Sequence, residues 1–155
     1  MNNNPMKEAA NEASIGIDKK SGGPFGSVVV KDGEIIGRGH NRVVEKKDPT
    51  AHGEVEAIRD ACENIGGFDL AGCELYTTCY PCPMCLGAIL WARIDKVYYC
   101  LTSEDVEEIG FDDKDFYERL SSKDAMEKLL ALDLTERETC LQILKDYVQS
   151  EPTMY

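Results

Sequence analysis

The sequence is short of positive charge. It has 17 lysines and arginines against 29 aspartates and glutamates, a formal net charge of −12, and no run of five or more basic residues. Proteins that bind polyanions neutralise phosphates with lysine and arginine, so this balance argues against a nucleic-acid partner and an anionic membrane surface. A small neutral or weakly charged ligand is compatible with it.

Long hydrophobic runs are also lacking. No apolar stretch is long enough to cross a bilayer, and the first residues, MNNNPMKEAANEA, show neither the basic nor the apolar region of a secretory signal. We therefore expect a cytoplasmic protein without a membrane partner. The length of 155 residues and the 43% hydrophobic composition are typical of one globular domain over residues 1–155.

The apolar pattern predicts helices alternating with strands. A helix begins after Asn4, two β-rich runs flank the turn at Asp32-Gly33, and a helix, strand, helix and strand follow between residues 51 and 101. This order favours a three-layer α/β/α fold around a mixed sheet. KLLALDLT, residues 128–135, could be a fifth strand or part of a helix, and ERETCLQILKDYV is predicted to be the last helix.

The seven cysteines fall into two groups. Four are scattered among apolar neighbours, where we expect them to pack as small hydrophobic residues and not as a disulfide framework. The other three, Cys79, Cys82 and Cys85, form C-x-x-C-x-x-C. This cluster alone has three interpretations: a redox pair of Cys79 and Cys82, a closed structural zinc site with Cys79 as the fourth ligand, or part of a catalytic metal site.

The tripeptide HGE, residues 52–54, favours the catalytic interpretation. A helix, a strand and a second helix can bring two helix N-termini to the same end of a sheet, where His52, Cys82 and Cys85 would converge on Zn²⁺. A catalytic zinc ion leaves one position for a water molecule and lowers its pKa, and Glu54 can stand beside that water as a proton carrier. H-x-E followed about thirty residues later by P-C-x-x-C is the signature of zinc-dependent nucleobase deaminases.

These motifs resemble those of the cytidine-deaminase-like superfamily. The stretches GGPFGSVVVKDGEIIGRGHN, DPTAHGEVEAIR and TTCYPCPMCLGAILWARIDKVYY are similar to the branch that holds guanine deaminases, tRNA adenosine deaminases and yeast-type cytosine deaminases. The resemblance implies a mixed five-stranded sheet between helices, zinc ligands at His52, Cys82 and Cys85, and a proton shuttle at Glu54. Gly53 departs from the pattern, which usually has alanine at this position.

Within that branch the sequence looks most like the bacterial guanine deaminases. Asn41 resembles their purine-binding asparagine, GFDD at residues 110–113 resembles the segment after their fourth strand, and Tyr155 resembles their terminal tyrosine. The resemblance implies a homodimer that exchanges its C-terminal segment, about residues 121–155, so that Tyr155 closes the pocket of the other subunit.

The expected reaction is the hydrolytic deamination of a free nucleobase, guanine, to xanthine and ammonia. A carboxylate such as Asp113 can accept from both N1–H and the 2-amino group and can help with proton transfer, and Asn41 suits a mixed purine edge. Phe25 could lie against the base, and the backbone around Ala51 could donate to it. The alternatives are a core aromatic at Phe25, a solvated acidic turn at Asp113 and an unstructured end at Tyr155.

Other functions stay open at this point. Cytosine, a nucleoside or a tRNA adenosine would use the same zinc motifs, although a tRNA substrate needs a basic surface that a net charge of −12 disfavours. The non-enzymatic alternative is a binding domain stabilised by a structural zinc ion with Cys79 as the fourth ligand.

Overall fold

The computed structural model describes residues 4–111, 114–124, 130, 135 and 137–149. The chain divides into two compact units, Met1–Tyr117 and Glu118–Tyr155. The described elements, in order, are α1 (Pro5–Asp18), β1 (Gly26–Lys31), β2 (Glu34–His40), α2 (Val43–Lys46), α3 (Gly53–Ile65), β3 (Cys73–Cys79), α4 (Pro83–Trp91), β4 (Lys96–Leu101), α5 (Ser103–Glu107), α6 (Lys114–Arg119) and α7 (Arg137–Gln149). Within the described part of the chain, we find no helix with both the length and the apolar character to span a bilayer.

The first unit is built on a mixed sheet with the strand order β2-β1-β3-β4. Strand β1 is antiparallel to both β2 and β3, whereas β3 and β4 are parallel. The predicted α/β fold with a mixed sheet is therefore confirmed, with four strands among the described residues where five were expected. The expected fifth strand falls in residues 128–135, of which only 130 and 135 are described.

Local signals in the sequence explain where the first elements begin and end. Asn4 is the N-cap of α1, and its side-chain oxygen accepts from the backbone N–H groups of Met6 and Lys7. The hairpin turn between β1 and β2 has φ angles of 51° at Asp32 and 83° at Gly33. Positive φ at both central residues matches the turn that suits twisted hairpin strands, which confirms the predicted hairpin.

The side chains of β1 serve two hydrophobic layers. Val28 and Val30 pack with Ala9 of α1 on one face of the sheet. Val29 points to the opposite face, where it packs in a larger cluster with Ala57 and Ala61 of α3. Since successive side chains of a strand point to opposite faces, the unbroken run VVV is the pattern of a strand covered by helices on both sides.

Helix α3 lies directly against β2 because two glycines face it. A Cβ atom at Gly37 would be 2.4 Å from the Ala57 carbonyl oxygen, and one at Gly39 would be 2.3 Å from the Ala57 backbone nitrogen. Any side chain at these positions would clash with the backbone of α3, and relieving the clash would require the helix to shift. The glycines therefore set the distance between α3 and the sheet, and with it the position of the first residues of α3.

We predict that Gly39→Ala destabilises the protein by about 1–3 kcal/mol or more, because the added methyl group collides with the α3 backbone. Urea unfolding followed by circular dichroism measures the change. Gly67→Ala is the matched control, since the nearest atom to a Cβ atom there is Ile65 Cδ1 at 3.9 Å. Equal midpoints for the two variants would contradict the proposed close packing.

Candidate metal and catalytic site

Three potential metal ligands converge where α3 and α4 begin. His52 is the N-cap residue of α3, Cys82 is the N-cap residue of α4, and Cys85 lies in the first turn of α4. His52 Nδ1 is 3.6 Å from Cys82 Sγ and 3.6 Å from Cys85 Sγ. All three ligand atoms lie within 4.8 Å of one another, so the predicted convergence of these residues is confirmed.

The donor set and its spacing fit a zinc ion. In a tetrahedral site with Zn–N of about 2.1 Å and Zn–S of about 2.3 Å, a nitrogen and a sulfur ligand are about 3.6 Å apart. Both observed nitrogen–sulfur distances have this value. One imidazole and two thiolates also form a ligand set that zinc favours, and three protein ligands leave the fourth position to a small molecule.

Cys79 stands apart from this group. Its side chain is buried at the end of β3, and its Sγ lies 3.8 Å from the carbonyl oxygen of Thr102. Among the described residues, the group of three or more candidate ligands consists of His52, Cys82 and Cys85 without it. This placement argues against the closed structural site with Cys79 as the fourth ligand.

The electrostatics of the two thiol groups favour a bound cation. The pKa of Cys82 is lowered because Cys85 donates a hydrogen bond to it and His52 interacts with it. The pKa of Cys85 is raised because of that same bond to Cys82 and because of burial. The half-buried thiol of Cys82 and the buried thiol of Cys85 thus oppose each other's ionisation, and a divalent cation between them would stabilise both thiolates.

The loop that carries Cys82 is held by aromatic residues. The Tyr117 hydroxyl donates to the Pro81 carbonyl oxygen. The Tyr80 ring meets the ring of Tyr99 edge-on, with centroids 5.1 Å apart, and tilts towards the ring of Tyr117 at 5.9 Å. These contacts restrict the loop directly before the first cysteine ligand, so the thiol group is presented from a supported backbone.

Glu54 is a buried carboxyl group beside the ligands. It lies in the first turn of α3, its side chain is 6% exposed, and its Oε2 is 3.4 Å from Cys85 Sγ. Burial raises its pKa above that of an ordinary glutamate. A carboxyl group with a raised pKa next to a metal site can both take up and release a proton, which is what a proton carrier requires.

Two hydroxyl residues complete the surroundings of Glu54, and neither is among the predicted site residues. Thr77 Oγ1 donates to Glu54 Oε1 at 3.2 Å, and Ser27 Oγ donates to Thr77 Oγ1 at 2.9 Å. Ser27 and Thr77 are paired across β1 and β3. Their signal in the sequence was a hydroxyl residue within an otherwise apolar strand, which carries no information about its partner fifty positions away.

Asn41 is placed by its side-chain oxygen. Its Oδ1 accepts from the backbone N–H groups of Gly23 and Val43, both at 3.2 Å, and the side chain is almost fully buried. Because two donors fix the orientation of the amide, its NH₂ group is the end that can donate to a ligand. Asn41 was expected to donate to and accept from the edge of a purine. In this orientation its oxygen is already used, and its NH₂ group can face a ligand as a donor.

Phe25 and Ala51 flank the start of α3. Phe25 is half-buried, and its ring meets that of Phe111 edge-on with centroids 5.0 Å apart. Ala51 is fully buried, and its N–H donates to the Asp48 carbonyl oxygen at 3.1 Å. The backbone around Ala51 was expected to donate to a base; within it, the Ala51 N–H donates inside a turn.

The other predicted substrate residues, Asp113 and Tyr155, lie outside the described residues. Their roles stay predictions.

Comparison with known proteins identifies the family. The family model described as cytidine and deoxycytidylate deaminase zinc-binding region matches residues 2–101, and these residues include Glu54 and all three candidate ligands. The chain therefore belongs to this family of zinc-dependent deaminases.

Two relatives match this chain over different shares of its length. The chain is 44% identical over 149 residues to guanine deaminase of Bacillus subtilis (strain 168), covering 94% of this chain and 95% of that one. The X-ray structure of the same relative matches over the same shares with a TM-score of 0.83. Our chain is 47% identical to the tRNA-specific adenosine deaminase of Aquifex aeolicus (strain VF5), but over only 94 residues, which are 61% of this chain and 62% of that enzyme.

A third relative is less identical to this chain than the other two. A structure of guanine deaminase from Nitrosomonas europaea matches with 34% identity and a TM-score of 0.66, covering 70% of this chain and 63% of that one. The near-full-length match and this one are both to guanine deaminases. The match to the Aquifex aeolicus enzyme covers 61% of this chain, and the tRNA-specific adenosine deaminase of Buchnera aphidicola matches over 83% of it at 33% identity.

We predict that Cys85→Ser loses zinc and Cys79→Ser retains it. The first change removes one of three thiolate or imidazole ligands, whereas the second alters a thiol outside the group. Metal analysis of the purified variants after dialysis against a weak chelator gives the zinc content per chain. Loss of zinc from both variants would support the closed structural site, in which Cys79 is the fourth ligand beside Cys85.

Proposed function

We propose that the protein hydrolyses guanine to xanthine and ammonia. The observation that carries this proposal is the buried Glu54 carboxyl group beside the three ligands, with its Oε2 atom 3.4 Å from the Sγ atom of Cys85. A structural zinc site has no need of a proton carrier, whereas hydrolytic deamination requires one. The guanine specificity is supported by the similarity to guanine deaminase over 94% of the chain.

The residues at the site suit this reaction. Zinc held by His52, Cys82 and Cys85 supplies Lewis-acid chemistry that makes water a nucleophile at neutral pH. Glu54 accepts one proton from the water as the water oxygen bonds to C2 of guanine, and it delivers this proton to a ring nitrogen. It then accepts the remaining proton of the new hydroxyl group and delivers it to the 2-amino group. The C2–N bond breaks, ammonia leaves, and C2 becomes the new carbonyl of xanthine.

The purine would be held by the residues around the start of α3. The Asn41 NH₂ group donates to an acceptor nitrogen or oxygen of the base, and the half-buried Phe25 ring packs against it. Asp113 accepts from N1–H and the 2-amino group and helps with proton transfer. The relative NE0047, 34% identical to this chain, was solved with 2,6-diaminopurine, and a single-residue variant of it with 8-azaguanine, which supports a free purine as the ligand.

A tRNA adenosine is the less favoured substrate. The net charge of −12 opposes binding to the phosphates of an anticodon loop. The tRNA-specific relatives of Aquifex aeolicus and Buchnera aphidicola match over 61% of this chain at 47% identity and over 83% at 33% identity, whereas guanine deaminase of Bacillus subtilis matches over 94% at 44% identity. Cytosine and nucleosides differ from guanine in the polar groups that they present to a buried site. A site built for one base rejects another mainly by leaving such groups unpaired.

The experiment that tests the proposal is an ammonia-release assay with guanine, cytosine, adenine, guanosine, cytidine and adenosine. We expect guanine to be the preferred substrate. We also expect Glu54→Gln to lower kcat by about 10²–10⁴-fold, because the amide cannot carry a proton, while its zinc content stays that of the wild type.

Glu63→Gln is the matched control for Glu54→Gln. It makes the same chemical change on the exposed surface of α3, so its kcat should equal that of the wild type. Wild-type activity in Glu54→Gln would contradict the proposed mechanism. Turnover of another base with guanine inert would contradict the substrate and leave the zinc chemistry in place.

We further propose a cytoplasmic homodimer in which the segment of about residues 121–155 is exchanged and Tyr155 closes the pocket of the other subunit. Sedimentation velocity of the full chain should give the mass of a dimer, and removal of Tyr155 should raise KM for guanine. A monomer, or an unchanged KM, would contradict this assembly.

A further inference from the structure

We propose that Thr77 is the positioning residue for Glu54, and that Ser27 holds Thr77 in the orientation this requires. The inference rests on the proposed role of Glu54 as the proton carrier. Its basis is the hydrogen-bonded chain from Ser27 Oγ through Thr77 Oγ1, 2.9 Å away, to Glu54 Oε1, 3.2 Å further on. We refer to these three residues as the hydroxyl chain.

The hydroxyl chain is almost fully buried. Ser27 is 0% exposed, Thr77 is 1% exposed and Glu54 is 6% exposed. Solvent water therefore does not reach these groups to replace a hydrogen bond that is removed. The loss of a donor to a buried carboxyl group costs more free energy than the same loss at the surface. The hydrogen bonds of the hydroxyl chain can thus control how the Glu54 carboxyl group is oriented.

The direction of the hydrogen bonds assigns different tasks to the two oxygens of Glu54. Thr77 has one hydroxyl proton; it accepts from Ser27, so its own proton is directed to Glu54 Oε1. Oε1 is therefore tied to the sheet. Oε2, 3.4 Å from Cys85 Sγ, faces the metal ligands and is the oxygen placed to exchange protons with water and substrate.

The support for Glu54 comes from the two inner strands of the sheet. Ser27 and Thr77 are directly opposite each other on β1 and β3, which are adjacent strands in the interior of the four-strand order. Threonine is branched at Cβ, so its χ1 angle is restricted and its hydroxyl group is held in a defined direction. Catalytic groups supported by such elements are positioned more accurately than those supported by loops.

Gly53 accounts for the space that this arrangement needs. A Cβ atom at Gly53 would be 3.3 Å from Ser27 Oγ and 3.3 Å from the Phe25 carbonyl oxygen, closer than most such contacts. A side chain as small as that of alanine would therefore press on the Ser27 hydroxyl. Glycine in place of alanine at position 53 is therefore consistent with the part that Ser27 plays in the hydroxyl chain.

The test compares Thr77→Val with Thr77→Ser. Valine has nearly the shape of threonine without the hydroxyl group, whereas serine keeps the donor. We expect Thr77→Val to lower kcat for guanine about ten- to a hundredfold, the effect of losing a hydrogen bond to a charged group, with KM and zinc content close to wild type. Thr77→Ser should restore kcat to within about threefold of the wild type, because it restores the donor.

Thr78→Val is the matched control. Thr78 is the next residue of β3 and is also buried, but its hydroxyl oxygen accepts from the Gly26 N–H at 3.2 Å and makes no bond to Glu54. Its kcat should stay near that of the wild type. Equal losses of kcat in Thr77→Val and Thr78→Val, or no rescue in Thr77→Ser, would show a general packing effect and overturn the inference.

Two further variants complete the test. If Thr77→Val does not fold, Ser27→Ala replaces it, since this change removes one oxygen and leaves Thr77 in place. We expect a several-fold lower kcat at unchanged KM, and a wild-type kcat would overturn the inference. Glu54→Gln, assayed alongside, separates the two proposals: if it is active, the proposed function fails, and if it is inactive while Thr77→Val is normal, only the positioning role fails.

Discussion

The contact between the α3 backbone and the sheet is the constraint on which the site depends. Gly37 and Gly39 allow the helix to lie against β2 at a distance that any side chain would prevent. The first residues of α3, His52 and Glu54, are thereby brought to the end of the sheet. Cys82 and Cys85 arrive there at the start of α4, and the close packing of α3 makes the distances between the ligands short.

Burial of Glu54 is the second constraint. A buried carboxyl group is costly to ionise, and this raises its pKa above the ordinary range. Its neighbours orient the carboxyl group, because one oxygen accepts a hydrogen bond from Thr77 and the other faces Cys85. In the proposed mechanism, the same desolvation suits the group to carry a proton and makes its orientation depend on a single hydroxyl group in the sheet.

The thiol groups show the same dependence on their surroundings. Cys82 and Cys85 are close enough that ionisation of one opposes ionisation of the other. Their contact with His52 Nδ1, at nitrogen–sulfur distances expected for tetrahedral zinc, gives a divalent cation a clear energetic role. Metal binding and the arrangement of α3 and α4 are therefore linked, since the ligands come from the N-termini of both helices.

Sequence reasoning predicted the parts of the protein that depend on local pattern or on rare residue types. The hairpin at Asp32-Gly33 follows from the conformations that these residues permit. The ligand set was accessible because the chain has only two histidines, and because HGE and PCPMC together match a specific metal-binding signature. In contrast, C-x-x-C-x-x-C could not show that Cys79 faces Thr102, because spacing does not specify the direction of a side chain at the end of a strand.

By itself, the sequence determined the order of the longer helices and strands up to β4, the candidate ligands and Glu54, since helix and strand periods and soft metal ligands are readable one segment at a time. It did not predict the short helix α2. Only the tertiary structure joined Ser27 to Thr77 and Glu54, directed the Asn41 oxygen to Gly23 and Val43, and engaged the Ala51 N–H in a turn. The physical reason is that a hydrogen bond depends on the distance and direction between two groups. For residues far apart in the chain, packing of the helices and strands sets both.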